Sequence, residues 1–493
     1  MYREKNTLPR SDCATEGSAG SAAQTQIEAQ RSGFDLNEKR GFTQPRLCCI
    51  MNKKLRGERM SAFLKRQTPQ RIVAAGFLLL ILLGSLLLSL PCSVREGVRL
   101  SYTDALYTST SAVCVTGLVT VDPGDTFTPL GQLFLALLIQ VGGLGVTAVG
   151  VSVILLMNGR VNLRERRMLS ETLNLLPGRS MGGFVRGIFL TTLFFELAGA
   201  ALSFIVFVQD HAPLRAAGLS LFHAISAFNN AGFDVLGGGR SLGAYADNVL
   251  LNMVTCALII CGGLGFLVLR ELRETRLRLR RLSMHSSVVL AVSGALIAFG
   301  TLFIKLAEGG SISWLGALFA SVSARTAGFA TYPLGGFSNA GLLAVAALIF
   351  IGASPGSTGG GIKTSTFFVL LHGLKGAATN KKGSVFRYSV PEHMFKKAAV
   401  VLAVSLAVVL SGSCLMALLE PQMPMRDVLF ETVSAFGTAG LSTGVTPSLG
   451  TAAKLLSMLI MFIGRVGPLT FMTVWHFGAD ERVKYPDGNI AVG

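Results

Sequence analysis

Along this chain, long apolar stretches alternate with short ones in a regular order. Eight are long, at residues 70–91, 129–156, 184–208, 247–269, 284–307, 338–373 (interrupted), 395–418 and 451–476. A helix crossing a hydrocarbon core of about 30 Å needs roughly 20 apolar residues, so the pattern predicts eight spanning helices. Four shorter segments, 101–112, 215–228, 313–324 and 425–436, fall between the odd and even members. Each is too short to cross and fits a re-entrant half-helix. The predicted fold class is an all-α polytopic membrane protein. It has four pseudo-symmetric units of outer helix, pore half-helix, loop and inner helix around one central pore.

Composition supports a membrane protein. Of 493 residues, 51% are hydrophobic and only 14% charged, against about 25% charged in a soluble domain. The eight cysteines are scattered without a metal-type pair and read as reduced core residues. The net charge of +17 would suit a nucleic-acid partner, but its distribution argues for a topology signal instead. With the runs placed, 34 of the 44 Lys and Arg fall on the side of the N-terminal segment, and only seven on the other. The 34 include six each after the second, fourth and sixth runs. This bias puts both termini and the basic loops in the cytoplasm of a cell-membrane protein, with anionic lipid as a contact. Residues 1–67 are polar, and Met51 and Met60 lie just before the first run. That segment reads as a disordered cytoplasmic tail or an over-extended start site. The expected boundaries are then 68–157, 181–270, 284–374 and 393–477 for the four repeats, and 478–493 for a cytoplasmic tail.

The repeats share two landmarks. The half-helices end in SAVCVTGL with Gly117, SAFNNAGF with Gly232, SARTAGF with Gly328 and SAFGTAGL with Gly440. The third is one residue shorter than the others. The inner helices carry QVGGLG, CGGLG, IGASPG and IGRVG, whose first glycines follow the half-helix glycines by 25, 30, 24 and 24 residues. Non-helical backbone at membrane depth survives only where it is buried in protein or lines a water-filled path. Half-helices ending there aim carbonyls carrying about half a negative charge at that path. Four such ends favour a cation, and loop carbonyls can replace its hydration shell. The candidate filter is therefore Val115, Thr116 and Gly117; Asn230, Ala231 and Gly232; Thr326, Ala327 and Gly328; and Thr438, Ala439 and Gly440. No ring of Asp or Glu accompanies it, which argues against a calcium-type filter.

A candidate gate comes from the interruption of the sixth run by GASPGSTGGGIKTST. Pro355 and the glycines Gly356, Gly359, Gly360 and Gly361 do not hold a continuous helix at low cost. Lys363 follows at once, and a lysine at membrane depth requires a wet cavity or a partner. Arg465 stands in the fourth inner helix where the first two have Gly143 and Gly263. A guanidinium there opposes a passing cation. The alternative role for Arg465 is a strut, salt-bridged to Glu196 or Glu431. Asn229 and Asn230 are expected to brace the second loop, Arg325 to bond behind the third, and His223 to pack.

These motifs resemble the Trk/Ktr/HKT superfamily of potassium transporters, most closely its bacterial Ktr membrane subunits, from about Arg66 to the C-terminus. The resemblance implies potassium selectivity, since glycine stands in all four filters including Gly117. It implies that the broken third inner helix, 353–362, is an intramembrane gating loop with the fourth-helix arginine beside it. It also implies no covalently bound cofactor and a homodimer on a cytoplasmic ring of KtrA-type subunits. Adenine nucleotide then acts only through that ring, and some relatives imply sodium as an activator. A cation-coupled secondary transporter of another solute is the rival reading. A membrane enzyme is disfavoured, because no cluster of His, Asp or Glu stands at membrane depth.

Overall fold

A computed structural model describes residues 69–145, 181–379, 384–385 and 388–474. The expectations for the N-terminal segment, for the end of the first repeat and for the C-terminal tail lie outside these residues. Among the described residues the regular structure is helical apart from a hairpin of two-residue strands, Ser384–Val385 with Tyr388–Ser389.

Four long helices form the outer layer: α1 (Pro69–Leu88), α4 (Met181–Asp210), α8 (Met284–Glu308) and α12 (Glu392–Leu419). Each is long and apolar enough to cross a bilayer, yet only 28–33% of the most apolar window of each is buried. Leu79, Phe194, Phe299 and Leu410 are among the exposed apolar residues of these helices. Such faces require lipid rather than water around them.

Inside this layer stand four half-helices, α2 (Tyr102–Val113), α5 (Pro213–Phe228), α9 (Trp314–Ser323) and α13 (Met425–Gly437). Their ends lie within two residues of those expected from the pattern. Ser101 and Ser313 cap the first and third, each accepting a hydrogen bond from a first-turn N–H. Each half-helix is followed by an irregular loop and an inner helix: α3 (Pro129–Leu144), α6 (Val249–Leu264), α10 (Asn339–Phe350) and α14 (Thr451–Val466). Thr128, Asn248 and Ser338 cap the first three. Repeats 1 and 4 meet through Lys454 Nζ and Asp104 Oδ1 at 2.7 Å, and through the Tyr107 and Ser457 hydroxyls at 3.1 Å.

The inner helices differ from the expected pattern. A break was expected only in the third, but the first, second and fourth also stop short, at Gly145, Gly265 and Gly467. These glycines have φ of 88°, 91° and 95°. Glycine adopts that region without strain and ends a helix there. After the second break, α7 (Phe266–Glu274) leaves at 98° to α6. After the third, α11 (Thr364–Thr379) resumes beyond an irregular stretch, and after the fourth comes α15 (Pro468–Val474). The fourth apolar run, 247–269, is thus an elbow rather than one straight span. An inner helix of 16 residues is about 24 Å long, short of a hydrocarbon core of about 30 Å.

Candidate filter ring and gate

The four half-helices end in one backbone conformation. The residue two before each glycine, Val115, Asn230, Thr326 or Thr438, has φ of 54°, 57°, 74° or 49°. The glycines Gly117, Gly232, Gly328 and Gly440 follow with φ of 94°, 68°, 85° and 77°. A non-glycine residue at positive φ is uncommon and is held by its surroundings. Here the motif serine helps hold it. Thr116, Ala231 and Ala439 N–H donate to the carbonyls of Ser111, Ser226 and Ser434, five residues back, at 2.7–3.0 Å. In the shorter third repeat, Ala327 N–H donates to Ser323 O four residues back at 2.9 Å. The missing residue is absorbed within the turn, and the glycine keeps its place.

These glycines close a ring in chain order. A Cβ on Gly117 would lie 2.5 Å from Ala231 O, one on Gly232 2.5 Å from Ala327 O, and one on Gly328 2.7 Å from Ala439 O. On Gly440 it would meet Thr116 O, which returns to the first repeat. Each obstacle is backbone, so no rotamer change relieves it. Glycine is required at all four positions by conformation and by space. The carbonyl-bearing ends of four half-helices therefore converge on one axis, the arrangement that favours a cation.

The stretch 352–363 lies against one side of this ring. A Cβ on Gly359 would strike the Thr326 side chain, and one on Gly360 the Thr438 side chain. Ser354 N–H donates to Gly263 O at 3.0 Å and Thr358 N–H to Gly262 O at 3.4 Å, using carbonyls that α6 leaves free at its end. Phe266 N–H, just past the elbow, donates to Gly356 O at 3.1 Å. Lys363 Nζ donates to Gly359 O at 2.6 Å, so its partner lies within the same loop. Arg465 reaches from the last turn of α14 and donates to Thr358 O, Gly142 O and Gly143 O. One guanidinium thus ties the loop of inner helix 3 to the ends of inner helices 1 and 4, while the loop is also bonded to inner helix 2.

The chain belongs to the TrkH cation transport protein family. The family model matches residues 42–292 and 289–480. Ktr system potassium uptake protein B of Bacillus subtilis is 38% identical over 439 residues, 87% of this chain and 97% of that one. The potassium/sodium uptake protein NtpJ of Enterococcus hirae is 34% identical over 90% of this chain and its own whole length. The Vibrio alginolyticus Ktr system potassium uptake protein B is 35% identical, over 86% of this chain and 94% of its own. Among solved structures, the potassium transporter TrkH of Vibrio parahaemolyticus superposes with a TM-score of 0.63 at 18% identity, covering 82% of this chain and 86% of that one. The four-repeat helical fold is thus that of TrkH, and the chain is a multi-pass membrane protein.

Within this TrkH-type framework, the carboxylates offered as strut partners for Arg465 are engaged elsewhere. Glu196 accepts from Asn229 Nδ2 at 3.0 Å, and that amide also reaches Gln140 Oε1 at 2.8 Å. Glu431 accepts from Thr446 Oγ1 at 2.9 Å and from Ser442 Oγ, tying α13 to the loop beyond Gly440. Arg325 donates to Ser293 O at 3.3 Å and Gly352 O at 3.4 Å, so it bonds behind the ring. The Asn230 carboxamide lies 3.3 Å from Thr326 Oγ1, bridging the second and third repeats. His223 is buried, 2.9 Å from Thr255 Oγ1 and tilted against Phe329.

Two features were missed in the sequence. The glycine closing the first, second and fourth inner-helix motifs, Gly145, Gly265 and Gly467, was read as part of the landmark and not as the break itself. A third fourfold landmark also exists. Gly84, Gly199, Gly300 and Gly412 of the outer helices pack on Leu138, Leu258, Leu348 and Ile460 of the inner ones. They precede the ring glycines by 33, 33, 28 and 28 residues, a register that a repeat search extended upstream would have found. Gly142, Gly262 and Gly464 have one purpose in common. Each faces a carbonyl in the last turn of its half-helix, that of Val113, Phe228 or Phe436, with no room for a side chain.

Proposed function

We propose that this chain is the ion-translocating membrane subunit of a Trk/Ktr-type potassium uptake system, working as a channel-like, gated pore. The observation that carries the reading is the closed ring of Gly117, Gly232, Gly328 and Gly440 at the ends of four half-helices. The filter carbonyls belong to Val115–Gly117, Asn230–Gly232, Thr326–Gly328 and Thr438–Gly440, and a dehydrated monovalent cation is the substrate. The gate is the loop Gly356–Lys363 latched by Arg465. The repeats run over 68–157, 181–270, 284–374 and 393–477, with the basic loops and both termini in the cytoplasm.

Names of relatives support potassium as the ion, and one adds sodium, consistent with sodium as co-substrate or activator. By analogy with Ktr systems, the subunit works as a homodimer on a cytoplasmic regulatory ring, which alone binds adenine nucleotide. Uptake of radiolabelled rubidium into proteoliposomes tests the reading. Uptake that potassium inhibits more strongly than sodium, without an imposed proton gradient, is expected. Absence of rubidium uptake, or uptake that requires a second solute, would favour the coupled-transporter alternative. Labelling of a cysteine introduced at Arg278 from the cytoplasmic side only is the outcome expected for the topology.

A further inference from the structure

A groove of about 1290 Å³ opens between the outer helix α4 and the elbow helix α7, on the side of the basic loops. Its α4 wall is mostly apolar, with Gly187, Ile188, Leu190 and Phe194 beside a single threonine, Thr191; α7 contributes Phe266, Leu269, Arg270, Arg273 and Leu272. The segment from Phe266 to Leu282 carries six arginines and two glutamates. Both glutamates are engaged. Glu271 accepts from Ser283 N–H and from the Ser283 and Ser286 hydroxyls, and Glu274 pairs with Arg270 at 2.7 Å. Arg273 and Arg276 have no carboxylate partner among the described residues and are exposed at the rim.

The turn that ends α7 is also unusual. Arg276 and Leu277 have φ of 50° and 60°, and the strained backbone leaves the Leu277 side chain 72% exposed. Leu279 is exposed as well, at 67%. An arginine-rich segment that turns its leucines outward is poorly suited to water. It suits the plane where acyl chains meet headgroups.

We propose that this groove is a binding site for an anionic phospholipid of the adjacent leaflet. The acyl chains lie along Leu190, Phe194 and Leu269, and the phosphate is held by Arg273 and Arg276. Charge complementarity selects the occupant. The apolar wall matches a hydrocarbon tail, and the rim carries unneutralised guanidinium groups of the kind that bind phosphate. The site borders the gate, because Phe266 lines the groove and its N–H holds Gly356 O. Lipid in the groove fixes α7, and through it one anchor of the loop. That consequence rests on the gate reading; the binding itself does not.

Native mass spectrometry of the full chain tests the site. The protein is released from vesicles of phosphatidylcholine with added phosphatidylglycerol. Retention of phosphatidylglycerol over phosphatidylcholine is expected, lowered about tenfold in an Arg273→Gln/Arg276→Gln variant. Gly187→Trp provides a second variant that leaves the charge intact. A Cβ there meets no atom within 4 Å, so the indole fills the groove, and the same loss is expected. Equal retention of both lipids, or unchanged retention in both variants, overturns the proposal. So does a wild-type chain that retains no lipid while the arginine variant loses its regulatory subunit, which would make the groove a protein-docking surface. Because none of these readouts measures ion flux, a failed site and a failed transport reading are distinguishable.

Discussion

Arg465 offers the sharpest test of the gate. Its guanidinium donates to Thr358 O in the loop and to Gly142 O and Gly143 O at the end of inner helix 1. A hydrogen bond involving a charged group is worth about 1.5–3 kcal/mol net. Opening a path beneath the ring must separate the loop from at least one of its neighbours. If only the bond to Thr358 is lost on opening, its removal favours the open arrangement by about 1.5–3 kcal/mol, roughly 10- to 150-fold in the equilibrium. Arg465→Ala is therefore expected to raise initial rubidium uptake into proteoliposomes, up to the ceiling set by a fully open pore. Arg465→Lys separates two causes. It keeps the positive charge but cannot span both sets of carbonyls with one planar fork. A latch predicts raised uptake in Arg465→Lys also, whereas simple repulsion of the ion predicts wild-type behaviour. Equal or lower uptake in Arg465→Ala, from protein that inserts normally and elutes as a single species, would refute the gate.

Further outcomes are expected from the same geometry. Deleting Gly359 and Gly360, which lie against the Thr326 and Thr438 side chains, is expected to raise uptake by opening the space under the ring; a correctly inserted deletion with unchanged flux counts against that placement. Gly117→Ser carries a left-handed penalty of about 1–2 kcal/mol and a Cβ 2.5 Å from Ala231 O, so the ring must widen and potassium preference over sodium must fall, as competition of sodium with rubidium uptake will report. Glu431→Ala leaves the Ser442 and Thr446 hydroxyls without their acceptor and is expected to cost about 1.5–3 kcal/mol, read as a lower melting temperature in detergent, with a smaller drop for Glu431→Gln. Asp234, two residues beyond Gly232 and outside the spanning helices, has its carboxyl pushed up to about 7 by burial and by the neighbouring charges of Asp122 and Asp125. It loses its charge as the pH on its side of the membrane falls from 8 to 6, so half-saturation by rubidium should rise, and Asp234→Asn should abolish that dependence. Because the folded state holds this proton more tightly than the unfolded chain, stability from this group is greatest below pH 4 and falls as pH rises towards 7.

Residue order alone was enough for the layers and the repeat. Apolar run length separated outer helices from half-helices, because crossing a bilayer and stopping within it require different numbers of residues. The fourfold glycine marked the ring, because positive φ at a crowded position leaves few alternatives. The broken third inner helix was legible from Pro355 and its glycines for the same local reason. Other features depended on the folded arrangement. Gly145, Gly265 and Gly467 end their helices, yet glycines inside apolar helices also serve close packing, and a linear motif does not separate the two uses. Arg465 was visible as a buried cation, but not its partners, which lie 107 to 323 residues away and are backbone carbonyls. Every residue has such a carbonyl, so the sequence carries no mark of which ones are left free at a helix end and turned towards a guanidinium. The convergence of four chain segments on one axis settles that, and only the folded chain contains it.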